Sequence, residues 1–212
     1  MEKLSCLIIS GGRFAAVPDE ILKTDLVIAC DSGLDHADRY GILPDIVLGD
    51  FDSLSDKNRD RLSKGEFKIV RYPKEKDDTD TALAMKNALD LGCKDIRMVS
   101  VFGNRMDHSI ANIQTAHYGA EHGAMIGMYD EDTEIIVFSG TEVTVPAREG
   151  YGLSVFALSD TCRGVSIKGT RYEIEEAELV NSFPLGQSNE FKGKEAVITV
   201  KEGTAMVVMS RQ

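Results

Sequence analysis

Several features are scarce in this sequence, and each scarcity removes a class of protein. No apolar run approaches the ~20 residues that a membrane-spanning helix needs, so no such helix is expected. The opening stretch, MEKLSCLIIS, lacks a signal-peptide cleavage pattern. Cysteines are few and scattered: Cys6, Cys30, Cys93 and Cys162 form no CxxC pair, so neither a zinc site nor a disulfide framework is signalled. Cys6 and Cys30 lie inside apolar runs and read as buried, reduced thiols, which sets the expectation of a cytoplasmic protein. There is no block of basic residues either. The 24 Lys and Arg face 35 Asp and Glu, for a net charge of −11, which argues against nucleic acid and membrane surfaces as partners. The phosphate-binding pattern GxxxxGK[ST] is missing, and a P-loop kinase is thereby excluded.

What is present is ordinary globular material: 212 residues with 42% hydrophobic content, enough for one large domain or two small ones. Up to residue 130, continuous apolar runs alternate with helical patterns. Strands are predicted at 4–10, 25–30, 45–49, 67–72, 95–102 and 124–129, with helices over 33–40, 55–63, 79–91 and 108–121. Gly92 is placed to end the third of these helices. The runs do not alternate with polar residues, as expected for strands covered on both faces, so a doubly wound, mostly parallel α/β sheet follows. Beyond residue 130 the segments become short, β-branched and separated by glycine turns, the pattern of an antiparallel sandwich or barrel. The expected division is an α/β domain over 1–130 and an all-β domain over 131–212. The Glu-rich stretch 173–178 reads as solvated surface.

Aspartates fall where such a sheet binds ligands, outside the carboxyl ends of its strands. Asp31 follows the second run, Asp50 and Asp52 the third, Asp77, Asp78 and Asp80 the fourth, and Asp107 the fifth. In GDFDS (49–53), an extended backbone would turn Asp50 and Asp52 to one side and Phe51 into the core, a pairing suited to Mg²⁺. The alternative is that Asp52 or Ser53 only caps the next helix. In KEKDDTD (74–80), Asp78 or Thr79 can cap a helix, Lys76 can contact a phosphate, and Asp80 can orient or deprotonate an attacking hydroxyl. In GNRMDH (103–108), Arg105 offers a planar fork to phosphate oxygens, Asp107 can cap the following helix, and His108 reads as a neutral hydrogen-bonding group. SGGR (10–13) follows the first strand, and such a turn can approach phosphates closely, although any tight turn uses glycines. An acidic site facing an anionic nucleotide must bridge like charges with divalent cations.

Taken together, 30–53, 76–85 and 103–113, and more faintly GTRYEIEEAELVNSFPLGQSNEF (169–191), resemble the thiamine pyrophosphokinase family. The resemblance implies an N-terminal α/β domain, a C-terminal β-sandwich and a homodimer with active sites at its interface. It implies transfer of a diphosphoryl group from ATP to the thiamine hydroxyl, with Mg²⁺ as cofactor. Carried over, Asp50, Asp52 and Asp80 would hold the metal and phosphates, with Asp31 in support. Asp31, Ser32, Gly33, Ser53, Arg105, Asp107 and His108 would border ATP. Lys76, Asp77, Asp80, Tyr172, Ser188 and Asn189 would border thiamine, with Ser188 and Asn189 reaching it from the second subunit. Two departures concern loop shape: Ser32 where the family often has glycine, and Asn104 where it has a second glycine. A third is Tyr172, where many members carry tryptophan. Its ring either stacks on thiamine or is a half-buried strand aromatic. The rivals are a diphosphotransferase of the same fold acting on a hydroxymethylpterin, a non-catalytic nucleotide or thiamine diphosphate binding module, and a carboxylate-metal phosphatase.

Overall fold

The computed structural model describes residues 4–52, 54–71, 77–103 and 105–212. The chain divides into two compact units, 1–119 with 126–131 and 120–125 with 132–212. In the first unit strands and helices alternate: β1 (Ser5–Ile9), α1 (Asp19–Leu22), β2 (Leu26–Cys30), α2 (Gly33–Tyr40), β3 (Ile46–Gly49), α3 (Asp56–Ser63), β4 (Lys68–Arg71), α4 (Asp80–Asp90), β5 (Asp95–Val99), α5 (Met106–Glu121) and β6 (Met125–Tyr129). The short helix α1 is absent from the sequence-based expectation, since four residues carry no readable periodicity.

The strands lie in the order β6-β5-β1-β2-β3-β4, and the β5–β1, β1–β2, β2–β3 and β3–β4 pairings are parallel. β1 and β2 each bury four consecutive residues and β3 is buried throughout, as the uninterrupted apolar runs require when helices α2 and α4 pack on the sheet. The order reverses between β1, which continues to β2, and β5, which continues to β6. That reversal is the switch point at which open α/β sheets open a crevice for ligands.

The second unit is all β: β7 (Thr133–Ser139), β8 (Glu142–Pro146), β9 (Tyr151–Ala157), β10 (Thr161–Lys168), β11 (Ile174–Val180), β12 (Gly186–Asn189), β13 (Glu195–Thr199) and β14 (Thr204–Arg211). They form antiparallel layers in the orders β12-β9-β14-β7 and β11-β10-β13-β8. Phe138, Val155 and Val207 of the first layer meet Val145, Ile167 and Ile198 of the second in one buried core. Each such side chain contributes roughly 1.5–3 kcal/mol of apolar transfer. β8 alternates exposed and buried residues along its length, as a sandwich strand with one wet face must.

The Glu-rich stretch keeps its glutamates in solvent, as expected, and forms a strand absent from the sequence-based expectation. Residues 174–180 form β11, an edge strand whose outward glutamates discourage further pairing. Glu176 and Glu178 there pair with Lys201 and Arg163. Among the described residues, no helix is long and apolar enough to cross a membrane.

Candidate active site

A cavity of about 730 Å³ opens at the switch point of the parallel sheet. Its floor comes from strand ends. The turn after β1 (Ser10, Gly11, Gly12, Arg13) is fastened to the segment after β5: the Gly12 amide donates to the Ser100 carbonyl at 2.8 Å and Arg13 to that of Phe102 at 2.7 Å. Gly12 is glycine for a reason, since a Cβ there would run into those same two carbonyl oxygens. Asp31, Ser32 and Asp50 also line it, with Asp78, Thr79, Asp80 and Thr81 from the start of α4 and Arg105 and His108 from that of α5.

Asp31, Asp50 and Asp52 bring one carboxylate oxygen each within 4.8 Å of the others. β2 and β3 are neighbours, so the residues that follow them converge. The backbone is bent to achieve this. Asp31 and Phe51 both adopt left-handed conformations, with φ of 46° and 65°, as does Ser100 at 56° after β5. Strain of this kind, held by the surrounding fold, collects at functional sites. Gly49, at φ 143°, lets the turn pass the Asp31 backbone, where a Cβ would come within 3.2 Å of Asp31 Cβ.

Residues 49–52 therefore bend and do not run as an extended segment. Asp50 and Asp52 share a side because Phe51 reverses the chain and buries its ring beside Leu34, Leu54 and Leu62, while the Asp52 amide donates to Asp50 Oδ1 at 3.2 Å. The capping alternative fails for Asp52: the cap of α3 is Ser55, whose hydroxyl accepts from the Asn58 amide. Three oxygen donors without a histidine or cysteine form a donor set that fits a hard divalent cation such as Mg²⁺. Asp80 stands outside this cluster. It follows β4, at the end of the sheet order, and lines the same cavity from the first turn of α4.

The remaining residues named from sequence take varied places. Thr79 caps α4 by accepting from the Ala82 amide at 3.1 Å, and Asp78 pairs through both oxygens with Lys86 at 2.8 Å. Gly92, at φ 87°, follows the end of α4 as expected. Asp77 is exposed and is not among the residues lining the cavity. The capping role of Asp107 is a correction: α5 begins at Met106, so Asp107 lies within its first turn, where the helix dipole favours a carboxylate. There it accepts from Arg105 at 2.6 Å, and the guanidinium holds its carboxyl below the usual range. Gly33 packs against the Ile9 carbonyl, and Ser32 Oγ occupies the space a side chain on Gly11 would need. Ser53 and Lys76 lie outside the described residues.

Lining residues that spacing did not reveal are Ser10, Thr81, Phe102 and Asn112. Ser10 and Thr81 share a buried hydroxyl–hydroxyl hydrogen bond of 2.9 Å, and Asn112 donates to the Val101 carbonyl at 2.6 Å. Only SGGR carried a signal. The others become neighbours through the strand order. Both arginines of the lining are already paired, Arg13 with Asp130 at 2.7 Å and Arg105 with Asp107. An anionic ligand would thus meet an acidic floor and committed cations, a situation that a bound divalent ion relieves.

In the second unit the predicted acceptor residues separate into two kinds. Tyr172 is 60% exposed in a bend before β11, which removes the half-buried strand alternative. The Arg171 guanidinium lies 5.4 Å from its ring centroid. Ser188 is exposed and left-handed, with φ 61°, and its amide donates to Ser154 Oγ at 3.0 Å. Asn189, by contrast, is buried and its carboxamide is saturated. Its Oδ1 accepts from the amides of Tyr172 and Glu190, both at 3.0 Å, while Nδ2 donates to Thr170 Oγ1 at 3.0 Å and the Tyr172 carbonyl at 2.7 Å. It shapes the turn that carries Tyr172.

A parallel sheet with an acidic, glycine-walled crevice at its switch point defines a site able to take a phosphorylated ligand together with a cation. Comparison with known proteins gives that class its family. Residues 17–128 match the family model described as thiamin pyrophosphokinase, catalytic domain, and 140–205 match thiamin pyrophosphokinase, vitamin B1 binding domain. The chain belongs to the thiamin pyrophosphokinase family, a family of enzymes. It is 28% identical over 207 residues to the thiamine pyrophosphokinase of Bacillus subtilis (strain 168), covering 96% of this chain and 97% of that protein. The crystal structure of the Bacillus subtilis enzyme superposes with a TM-score of 0.86 at 26% identity, covering 98% and 99% of the two chains. That of the Geobacillus thermodenitrificans thiamin pyrophosphokinase, at 23% identity, shares the fold with a TM-score of 0.82 over 99% and 98%.

Proposed function

We propose that this enzyme transfers the diphosphoryl group of ATP to the hydroxyl of thiamine, forming thiamine diphosphate and AMP. The observation that carries the reading is the convergence of Asp31, Asp50 and Asp52, the first two of which line a cavity that the Gly11–Gly12 turn also lines. These three carboxylates would hold Mg²⁺. Bound there, the cation would neutralise the triphosphate and favour in-line displacement at the β-phosphorus. The Gly11–Gly12 turn admits phosphate oxygens close to the backbone, and Arg105 and His108 border the nucleotide from the start of α5. Asp80, apart from the three-carboxylate cluster, is assigned to the acceptor, where it orients the attacking hydroxyl and takes up its proton. The division of labour follows residues 1–130 for the nucleotide and 131–212 for thiamine and dimerisation. Tyr172 would stack on thiamine and Ser188 would contact it, from the partner subunit of a homodimer in the cytoplasm.

The experiment is to incubate the protein with thiamine and ATP, with Mg²⁺ or with EDTA, and to separate the products. Thiamine diphosphate and AMP in equal amounts, formed only with the divalent ion, are expected. ADP as co-product would overturn the diphosphoryl mechanism, and turnover in EDTA would overturn the role of the carboxylates.

A further inference from the structure

We infer that Asp35 is a positioning residue that sets the distance between the two loops carrying the acidic floor. This rests on reading Asp31, Asp50 and Asp52 as the cation site. Asp35 belongs to the first turn of α2, which begins two residues after Asp31, and its amide donates to the Ser32 carbonyl at 3.0 Å. Its carboxylate crosses to the loop on the other side. Oδ1 accepts from the Ser55 hydroxyl at 2.6 Å and from Asn58 Nδ2 at 2.7 Å, and Oδ2 accepts from the Ser55 amide at 3.1 Å. Ser55 stands three residues after Asp52 and caps α3. One side chain therefore spans from the loop of Asp31 to the loop of Asp50 and Asp52.

The chemistry suits a strut. A carboxylate accepts several hydrogen bonds at once, and charge-assisted bonds of this length hold their partners firmly. Burial pushes the Asp35 carboxyl up, but the bonds from Ser55 and Asn58 outweigh it and leave the group below the ordinary carboxylate range, ionised and accepting at neutral pH. Other contacts support the same loop more weakly. Phe51 packs in the cluster of Leu34, the residue before Asp35, and Arg59 reaches the carbonyls of Asp52 and Leu54 at 3.4 and 3.3 Å. The left-handed conformations of Asp31 and Phe51 need such bracing, because a relaxed loop would let the carboxylates drift apart.

Asp38 supplies the comparison. One turn further along α2, it accepts from Lys57 at 2.7 Å, Arg61 at 2.7 Å and the same Asn58 Nδ2 at 3.1 Å, three bonds that all go to α3. Both aspartates fasten α2 to α3, and only Asp35 fastens the loop.

The test measures Mn²⁺ affinity by electron paramagnetic resonance, alongside the melting temperature without metal. Asp35→Asn should weaken Mn²⁺ binding by about tenfold or more, the usual effect of removing a residue that orients metal ligands. Ser55→Ala should weaken it less, and Ser55→Thr, which keeps the hydroxyl, should restore it. Asp38→Asn should lower the melting temperature while leaving Mn²⁺ affinity within about twofold, since it loses ion pairs remote from the site. Wild-type binding retained by Asp35→Asn, or by Ser55→Ala should the Asp35 variant fail to fold, would overturn the strut. Equal weakening by Asp38→Asn would overturn it too, making the effect one of general helix packing. No Mn²⁺ binding by the wild-type protein would remove the cation site itself and the strut with it.

Discussion

The crevice of the first unit and the Tyr172 turn of the second treat their polar groups in opposite ways. In the crevice, one carboxylate oxygen from each of three aspartates lies within 4.8 Å of the others on strained backbone, an arrangement of like charges that a shared cation would relieve. In the Tyr172 turn, the carboxamide of Asn189 uses its full hydrogen-bonding capacity within the protein, and what is presented outward is an aromatic ring. On the proposed reading, the first region would take a charged ligand through an ion. The second is built to offer a fixed apolar face. An enzyme that transfers a diphosphoryl group from a triphosphate to an aromatic cation needs one surface of each kind.

That contrast can be broken in order of expected effect. Asp52→Asn removes one of the three converging carboxylates and should lower turnover at least about a hundredfold while circular dichroism stays unchanged. Near-normal activity would deprive the cluster of its role. Changes at the Tyr172 turn should be milder and confined to thiamine. Tyr172→Ala should raise the KM for thiamine by about tenfold, as loss of one aromatic stack allows, and leave that for ATP unchanged. Tyr172→Trp should lower it. Asn189→Ala should imitate Tyr172→Ala in thiamine KM and also destabilise the protein by about 1–3 kcal/mol, because the amides of Tyr172 and Glu190 lose their acceptor. If Asn189→Ala spared thiamine KM, the turn would not depend on that carboxamide.

The smallest effect lies away from both regions. Burial raises the Asp38 carboxyl, but bonds from Lys57, Arg61 and Asn58 carry it below its unfolded value of 3.8. A group depressed in the folded state contributes stability that is present above pH 3.8 and lost as pH falls through its folded pKa. Asp38→Asn should therefore cost about 1 kcal/mol at pH 7, and its deficit should shrink below pH 3.8 in urea titrations. A deficit constant with pH would mean that charge contributes nothing there.

Much of this is legible in the sequence because apolar runs mark strands and aspartates follow them. Asp31, Asp50, Asp52, Asp80 and Arg105 all stand out as candidate site residues from their places after those runs. Chain order does not carry adjacency across the sheet. Asp31 joins Asp50 and Asp52 because β2 lies beside β3, whereas Asp80 belongs to a helix that follows β4 in the chain but packs back on β1 and β2. For the same reason SGGR reads like any tight turn, and only the placement of β1 beside β5 puts it at the switch point. Short-range competition hides the rest. Ser55 takes the cap in place of Asp52, and Asp107 falls inside α5, outcomes set by a residue or two of helix phase. Asn189 reads only as a member of a Ser-Asn pair, and nothing local shows that its partners lie at Thr170 and Tyr172.

The net charge of −11 gains meaning from these placements. Part of it is edge-strand and surface glutamate, already paired at Glu176 and Glu178. Another part is gathered at the strand ends, where it would repel a nucleotide that arrived without a cation. The most direct test of that claim is to titrate Mn²⁺ into isotope-labelled protein and follow paramagnetic broadening of the backbone amides. The strongest broadening should fall at residues 31–35 and 49–52. Strongest broadening at any other set of residues, or none at all, would contradict the account.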